Sequence, residues 1–166
     1  SSDVCSSDLT YQWRKNGAPM TGETGSSVSF TATAVDHNTT YDCVVSNSCG
    51  VVTTPAATLT VNLAPTVTLD PQSTTVCENT QATFSVTDFS RPAASYQWKR
   101  NGAVIPGATS SSYSITPAAV DTGAVFSCEL TNLCGSATSL GATLTVNTAP
   151  TFVTPPQAVT ACVGTS

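Results

Sequence analysis

The strongest constraint on the fold of this chain is an internal repeat, in which Trp13 recurs as Trp98 and Cys43 as Cys128. Aligning residues 10–64 on 95–149 without a gap gives 27 identities in 55 positions, and aligning 65–81 on 150–166 gives 7 in 17. Similarity at a fixed period, here about 85 residues, indicates one structural unit strung in tandem. This period lies within the usual size range of a compact domain, so we expect successive copies of one small domain.

The pattern within a copy predicts β-structure throughout. Thr (30) and Ser (21) make up 51 of the 166 residues, and such β-branched and hydroxyl side chains favour half-buried strands over helix. In both copies a Trp on one short strand precedes a Cys on a later strand by the same interval, from Trp13 to Cys43 and from Trp98 to Cys128. This spacing is typical of a two-layer antiparallel β-sandwich. The expected core residues are Trp13, Cys43, Phe84, Trp98, Cys128 and Leu144.

The predicted strands are lettered A, B, C, E, F and G along a copy, and they divide the chain into one complete and two partial domains. Residues 10–64 supply strands C to G, residues 65–147 a complete copy, and residues 148–166 the first strands of a third copy. The missing strands A and B would uncover one face of the first core around Trp13. The predicted strands of the first copy are Tyr11–Arg14, Ser27–Thr31, Tyr41–Ser46 and Thr53–Val61. Those of the complete copy are Thr66–Leu69 with Thr74–Cys77, Gln81–Thr87, Ser95–Arg100, Ser111–Thr116, Ala124–Thr131 and Thr138–Val146.

Residues 1–9 do not share the repeat, since they match residues 86–94 at a single position, Asp3. The nine residues can be encoded by AGT TCA GAC GTG TGC TCT TCC GAT CTN, which resembles a sequencing adapter read in frame. The alternative is a divergent loop between strands B and C. We expect a foreign leader, whose Cys5 takes no part in a native disulfide, on a chain from an environmental assembly that once extended further N-terminal.

Several short motifs recur in the two copies. The complete copy carries Tyr96-Gln97-Trp98, Asn101-Gly102, Asp121-x-Gly123, Cys128 and Asn132-x-Cys134-Gly135. The first copy carries Tyr11-Gln12-Trp13, Asn16-Gly17, Asp36, Cys43 and Asn47-x-Cys49-Gly50. Over residues 10–166 these motifs resemble bacterial immunoglobulin-like repeats, which are similar to I-set modules and occur in large secreted or cell-surface proteins. The resemblance implies an all-β, immunoglobulin-like β-sandwich in tandem and an extracellular or cell-surface location, but this fold hosts many unrelated roles.

The cysteines depart from the pattern of that family. Strand B usually carries a Cys that pairs with the Cys of strand F, but the positions here are Phe84 and Val86. Cys128 is therefore expected to be a buried thiol that behaves as a small hydrophobe beside Trp98. Secreted domains commonly contain disulfides. The remaining candidate disulfide residues are Cys49, Cys77, Cys134 and Cys162.

Two pairings stay open for these four cysteines, because spacing does not fix connectivity. One is internal to each copy. The other joins cysteines of successive copies across the domain junction. It pairs the cysteine between strands F and G of one copy (the F–G cysteine, Cys134 in the complete copy) with the cysteine between strands A and B of the preceding copy (the A–B cysteine, equivalent to Cys77). The second is favoured by geometry, since Cys77 and Cys134 belong at opposite ends of a sandwich. Strand residues rise about 3.3 Å each, so roughly eight residues separate the two thiols by more than disulfide reach.

Composition and motifs argue against catalysis and against charged partners. The net charge is -5 and only 9% of residues are charged, so no basic surface is expected for nucleic acid or an anionic membrane. No apolar run is long enough for a membrane span. With no C-x-x-C pair and a single His, His37, no zinc site or other cofactor is expected. Asp36 and His37 are predicted to lie in a solvated loop between strands E and F.

The remaining candidates for binding are Phe89 and Arg91, in a predicted B–C loop at residues 88–94. They are expected to contact either a partner or the preceding domain. We expect a non-catalytic stalk, spacer or adhesion arm whose partners are neighbouring domains of the same chain, another surface protein or a glycan. The alternative is an accessory carbohydrate-binding module of a secreted hydrolase, which would need a platform of exposed aromatic side chains.

Overall fold

A computed structural model describes residues 8–160 and 162–164. Most of the predicted foreign leader, including Cys5, lies outside the described residues. Within them the strands are β1 Thr10–Lys15, β2 Ala18–Pro19, β3 Thr40–Asn47, β4 Gly50–Thr53, β5 Ala57–Thr58, β6 Leu63–Leu69, β7 Thr74–Cys77, β8 Ala82–Ser85, β9 Thr87–Arg91, β10 Ser95–Arg100, β11 Ala103–Val104, β12 Ser112–Ile115, β13 Val125–Asn132, β14 Gly135–Thr138 and β15 Ala142–Asn147. Two short 3-10 helices span Ala34–Asp36 and Ala119–Asp121.

The chain forms two compact units whose limits differ from those of the repeat. The first unit comprises residues up to 66 together with 88–95 and 130–137, and the second comprises 67–87, 96–129 and the residues from 138 onward. The two later segments, 88–95 and 130–137, contact the first unit through hydrogen bonds to residues 61–63. Arg91 donates a hydrogen bond to the carbonyl of Val61, and Asn132 donates one to the carbonyl of Leu63.

The first unit contains a sheet with the strand order β2-β1-β3-β4, in which β5 also pairs with β3. Strands β1 and β3 are antiparallel with Trp13 opposite Cys43, so the strands that carry the Trp and the Cys of the motif are neighbours in one sheet. Asn16 and Gly17 have positive φ values of 50° and 80°, which suit the tight turn between β1 and β2. Of the two predicted core residues of this copy, Cys43 is buried, whereas Trp13 is only half-buried.

The predicted strand E of the first copy, Ser27–Thr31, is wrong, because these residues form no strand. In the complete copy the corresponding strand, β12, forms its ladder with β8. Residues 10–64 contain no counterpart of β8. The segment therefore has a strand-like sequence without a neighbour to accept its backbone hydrogen bonds, and strand pairing is what stabilises an extended segment.

The predicted strand G of the first copy, Thr53–Val61, is also corrected, since it is interrupted between β4 and β5. At the break Thr54 N donates to Cys43 O at 2.9 Å, and Cys43 N donates to Thr54 Oγ1 at 3.0 Å. The predicted strand Thr138–Val146 breaks in the same way between β14 and β15. There Ser139 takes the place of Thr54 and Cys128 that of Cys43, so a hydroxyl side chain fills the gap in the ladder.

The complete copy contains a six-stranded sheet with the order β11-β10-β13-β15-β7, in which β14 also pairs with β13. Strand β7 runs parallel to β15, with Cys77 opposite Asn147, and the predicted interruption of strand A at Asp70 and Pro71 is confirmed. Strands β12 and β8 form a separate antiparallel pair, as do β6 and β9. Strands B and F therefore belong to different sheets.

Aromatic side chains join the pair β8–β12 to the six-stranded sheet. The ring of Phe84 on β8 stacks on Phe126 on β13 with centroids 4.6 Å apart. Tyr113 on β12 lies 5.7 Å from the Phe126 ring and 6.2 Å from Trp98. Burial of such a side chain contributes about 1.5–3 kcal/mol. The structure places Phe84, Trp98, Cys128 and Leu144 in this core, each at most 1% exposed.

The predicted B–C loop is shorter than expected. Residues 87–91 form β9, which pairs with β6, so Phe89 and Arg91 lie on a strand and only residues 92–94 connect to β10. The sequence predicts the end of strand B at Thr87, because the following residues do not alternate between apolar and polar. Strand β9 forms without that alternation because its backbone pairs with β6.

Candidate interaction surface

The recurring motif residues form hydrogen bonds within their own copies. Gln97 Nε2 donates to the carbonyl oxygens of Trp98 at 3.1 Å and Ile105 at 2.8 Å. The equivalent Gln12 makes the same two bonds at 2.9 and 2.8 Å. Each glutamine ties the strand that carries the Trp to the segment after the Asn-Gly turn, so its recurrence has a structural cause.

The Asn-Gly turns are anchored to strand F. Asn101 Oδ1 accepts a hydrogen bond from Val125 N at 2.8 Å, and Asn101 N donates to Val125 O at 2.8 Å. Asn16 makes the same pair of bonds to Thr40. Both asparagines have φ of 50°, a left-handed conformation that Asn tolerates better than most residues. These motifs are therefore parts of the scaffold.

Asp36 does not lie in a solvated loop, and that prediction is wrong. Its side chain is buried, and Lys15 Nζ lies 2.5 Å from Oδ1. The Thr33 backbone N–H and hydroxyl both donate to Oδ2 at 2.8 Å. The hydrogen bond from the Lys15 ammonium, followed by those from Thr33, lowers the pKa of Asp36 to about 2. The carboxylate is therefore a fixed anion that holds the corner at the 3-10 helix before β3.

The complete copy repeats this corner with different residues. Ala118 N donates to Asp121 Oδ2 at 2.8 Å, and Arg100 Nη2 lies 2.5 Å from Asp121 Oδ1. The Ala118 hydrogen bond and then the Arg100 hydrogen bond lower the pKa of Asp121. A carboxylate held as an anion by a cation and a backbone N–H is unsuited to act as a general acid near neutral pH.

His37 has a structural role that its counterpart shares. Its Nδ1 accepts a hydrogen bond from Val61 N at 3.2 Å. In the complete copy Thr122 Oγ1 accepts the equivalent bond from Val146 N at 2.9 Å. Two chemically different side chains thus accept a hydrogen bond from equivalent backbone N–H groups, those of Val61 and Val146.

Residues 61–64, which we call the linker, join the first copy to the complete one, and the F–G turn (residues 132–135) is bonded to them through the Asn132 side chain. Its Oδ1 accepts a hydrogen bond from Cys134 N at 2.9 Å, which shapes the turn. Its Nδ2 donates to Leu63 O at 2.7 Å and to Pro92 O at 2.9 Å. A Cβ atom placed on Gly135 would lie 3.5 Å from the Cβ of Ala64. The sequence marked Asn132 as a motif residue but gave no sign of its bonds to the linker.

The two predicted interaction residues differ in accessibility. Arg91 is half-buried, and its Nη1 donates to Val61 O at 3.3 Å. Phe89 is 56% exposed. Leu133 in the F–G turn, which sequence reasoning missed, is 73% exposed. Arg91 therefore belongs to the linker contacts, whereas Phe89 and Leu133 are two of the exposed apolar side chains.

The four candidate disulfide residues are all exposed. Cys77 and Cys134 are exposed free thiols, and Cys162 is exposed. Cys49, in the F–G turn of the first copy, is disulfide-bonded. Cys128 is fully buried, with its Sγ 3.7 Å from Glu129 O.

A groove of about 440 Å³ lies where β15 ends. It is lined by Cys77, Glu78, Asn79 and residues 147–150, which we call the terminal groove. Glu78 N donates to Asn147 O at 2.9 Å, and Glu78 Oε1 accepts from Ala119 N at 3.2 Å. The carboxylate in its lining is thus already hydrogen-bonded.

Within residues 8–160 and 162–164, no three His, Cys, Asp or Glu side chains are grouped so as to hold a metal ion. The same part of the chain contains no helix of the length and apolarity needed to cross a membrane.

The two-layer arrangement, with B and F in different sheets and the Trp between them, decides the fold. It is an immunoglobulin-like β-sandwich. A three-domain immunoglobulin fragment of titin superimposes with a TM-score of 0.63 at 20% identity, covering 93% of this chain and 60% of that one. No protein-family model matches the chain.

Two curated proteins are also similar in sequence. Human leucine-rich repeats and immunoglobulin-like domains protein 1 is 27% identical over 90% of this chain, which spans 16% of that protein. The highly immunogenic outer capsid protein of Enterobacteria phage T4 is 32% identical over 60% of the chain, which spans 29% of it. The chain thus covers a small part of each of these relatives.

Proposed function

We propose that this chain is a non-catalytic extracellular module of I-set-like repeats from a bacterial secreted or cell-surface protein, in which it serves as a stalk, spacer or adhesion arm. The proposed domains are those of the repeat, with residues 65–147 as the complete copy between two partial ones. The likeness to an outer capsid protein and to a protein named for its immunoglobulin-like domains supports this role.

The observation that carries the proposal is the bonded linker. Residues 61–64 offer two carbonyl oxygens, of Val61 and Leu63, to Arg91 and Asn132. A linker whose carbonyls are hydrogen-bonded by side chains is ordered, whereas a flexible tether leaves them to water. An ordered linker suits a spacer that transmits position along a chain of domains.

Limited proteolysis with thermolysin tests whether the linker is ordered. This protease cleaves on the N-terminal side of large apolar residues such as Leu63, and only where the backbone is accessible. Asn132→Asp keeps the Oδ1 acceptor of the turn and removes the donor to Leu63 O in the linker, together with the donor to Pro92 O. We expect slow cleavage at residues 62–63 in the full chain and cleavage at least about tenfold faster in Asn132→Asp. Ser136→Ala, an exposed residue of the same hairpin, is the matched control. Rapid cleavage at residues 62–63 in the unmodified chain would contradict the proposal.

The carbohydrate-binding alternative has less support. Among the described residues the exposed aromatic side chains are Phe30, Phe89 and Phe152, and no ring contact joins any two of them. A glycan array probed with the full chain tests this function. Binding that Phe89→Ser abolishes would favour a glycan-binding arm, and the absence of binding would favour a spacer.

A further inference from the structure

We propose that the terminal groove is the docking surface for the F–G turn of a further copy of this repeat, and that Cys77 forms a disulfide there with the F–G cysteine of that copy. The inference goes beyond the proposed function, because it assigns a covalent link to a surface whose thiol is free in this chain.

The first step is the place of the F–G turn in this chain. Asn132 before the turn is bonded to Leu63 O at 2.7 Å, and Gly135 after it approaches Ala64. Cys134 lies between these two contacts. The F–G cysteine of a copy is thus held beside the linker that enters that copy.

The second step is the repeat, which makes Thr148 and Ala149 the counterparts of Leu63 and Ala64. Residues 148–166 begin a third copy, so its F–G turn would contact Thr148 and Ala149 in the same way. Those two residues line the terminal groove together with Cys77. The F–G cysteine of the third copy would therefore enter the groove that holds the Cys77 thiol.

The third step is the fit of the groove. Strand β7 places Cys77 opposite Asn147, at the start of the linker, and Cys77 is exposed. A disulfide needs Cα atoms about 4.4–6.8 Å apart, so the docked F–G turn must bring its cysteine to that separation from Cys77. The turn Asn132-Leu133-Cys134-Gly135 carries no charge, and Glu78, the carboxylate of the groove, is already bonded. Docking therefore buries no unpaired charge.

The covalent step is an ordinary thiol oxidation. Each of the two thiols loses one proton and one electron, and a sulfur–sulfur bond forms between them. Glutathione disulfide accepts the two electrons and two protons and is reduced to two glutathione thiols, through a mixed disulfide that the second protein thiol displaces.

The test uses the full chain extended by a second copy of residues 82–147 after Ser166, which completes the third copy. Two matched versions each keep one F–G cysteine besides Cys49, which is disulfide-bonded. One carries Cys134→Ser and keeps the cysteine of the added copy, and the other keeps Cys134 and has serine in the added copy. Both carry Cys162→Ser, which removes a competing exposed thiol. After equilibration in a glutathione redox buffer, peptide mapping without reduction identifies the partner of Cys77.

We expect Cys77 to be linked to the added cysteine in the first version and to stay unlinked in the second. At about 10 µM protein, an effective concentration in the millimolar range would favour the internal link about 100-fold over intermolecular dimers. A Cys77–Cys134 link in the second version, or an unlinked Cys77 in a folded first version, would overturn the proposal.

Folding of the added copy is checked by burial of its Trp, measured from fluorescence emission. If the extension does not fold, residues 148–166 are replaced by a second copy of residues 63–147, and the same pair of versions is compared. The mapping reports only the disulfide, so its failure is distinct from failure of the spacer or adhesion role.

Discussion

Replacing Ser139 with alanine tests the hydroxyl that fills the break in strand G. Ser139 Oγ accepts a hydrogen bond from Cys128 N at 2.9 Å and donates one to Leu140 O at 2.9 Å. Ser139 is 7% exposed and Cys128 is 0% exposed, so water does not replace the lost acceptor. Leaving a buried N–H unsatisfied costs about 1–3 kcal/mol. We expect the free energy of unfolding to fall by about 2 kcal/mol, the middle of that range.

The first copy supplies a matched control. Thr54 Oγ1 accepts the equivalent bond from Cys43 N at 3.0 Å, but Thr54 is exposed. Water can therefore replace the hydroxyl in Thr54→Ala, and the loss should be about 0.5–1 kcal/mol, the net contribution of an ordinary hydrogen bond. The difference between the two variants isolates the effect of burial from that of the bond itself.

Two measurements check this prediction. Thermal unfolding followed by circular dichroism should show the transition of Ser139→Ala lowered by about 8–16 °C, since 1 kcal/mol corresponds to about 4–8 °C in a domain of this size. Amide hydrogen exchange should show Cys128 N–H losing protection in Ser139→Ala more than Cys43 N–H does in Thr54→Ala. Equal losses in the two variants would refute the reasoning, as would a loss for Ser139→Ala smaller than that expected of an ordinary exposed hydrogen bond.

Three further outcomes are expected. The pKa of Asp36 in the folded protein is about 2, below its ordinary value of 3.8, so the ionised carboxylate stabilises the folded protein above pH 4 and this stabilisation is lost as the pH falls toward 2. The urea midpoint of Asp36→Asn should therefore depend less on pH across that window than the midpoint of the unmodified protein. An equal dependence on pH in the two proteins would contradict this. His37→Thr should leave the midpoint nearly unchanged, because Thr122 makes the same bond in its own copy, whereas His37→Ala should lower it. Asn101→Ala should destabilise by about 1–2 kcal/mol in urea unfolding, because alanine tolerates positive φ poorly and cannot bond Val125 N; a neutral result would exclude that role of the turn.

The sequence was sufficient for much of the fold because its main signals are local. Alternation and the Trp-to-Cys spacing placed strands C and F and the buried residues Phe84, Trp98, Cys128 and Leu144. The prediction of strand E in the first copy failed because this strand needs a partner strand, and residues 10–64 contain no counterpart of β8. A propensity for extended structure does not create a ladder without that partner.

The corner at Asp36 was missed for a related reason, since a loop carboxylate is ordinarily solvated. Its partner Lys15 stands 21 residues away, and in the complete copy Arg100 stands 21 residues before Asp121. A cation and a carboxylate recurring at one separation in both copies were a usable signal. The sequence contains no such signal for the hydrogen bonds of Asn132 and Arg91 to the linker, because their acceptors are backbone carbonyl oxygens, which every residue has.

The double role of Asn132 has a consequence for protein engineering. One amide group shapes the F–G hairpin with its oxygen and fastens the entering strand with its nitrogen. In variable immunoglobulin domains the F–G loop is one of the binding loops, which makes this hairpin an obvious place to insert a foreign one. In this protein an insertion there would also break the hydrogen bond from Asn132 to Leu63, at the start of β6. Insertions should therefore be better tolerated at the Asn101-Gly102 turn, whose hydrogen bonds are to Val125 in its own sheet.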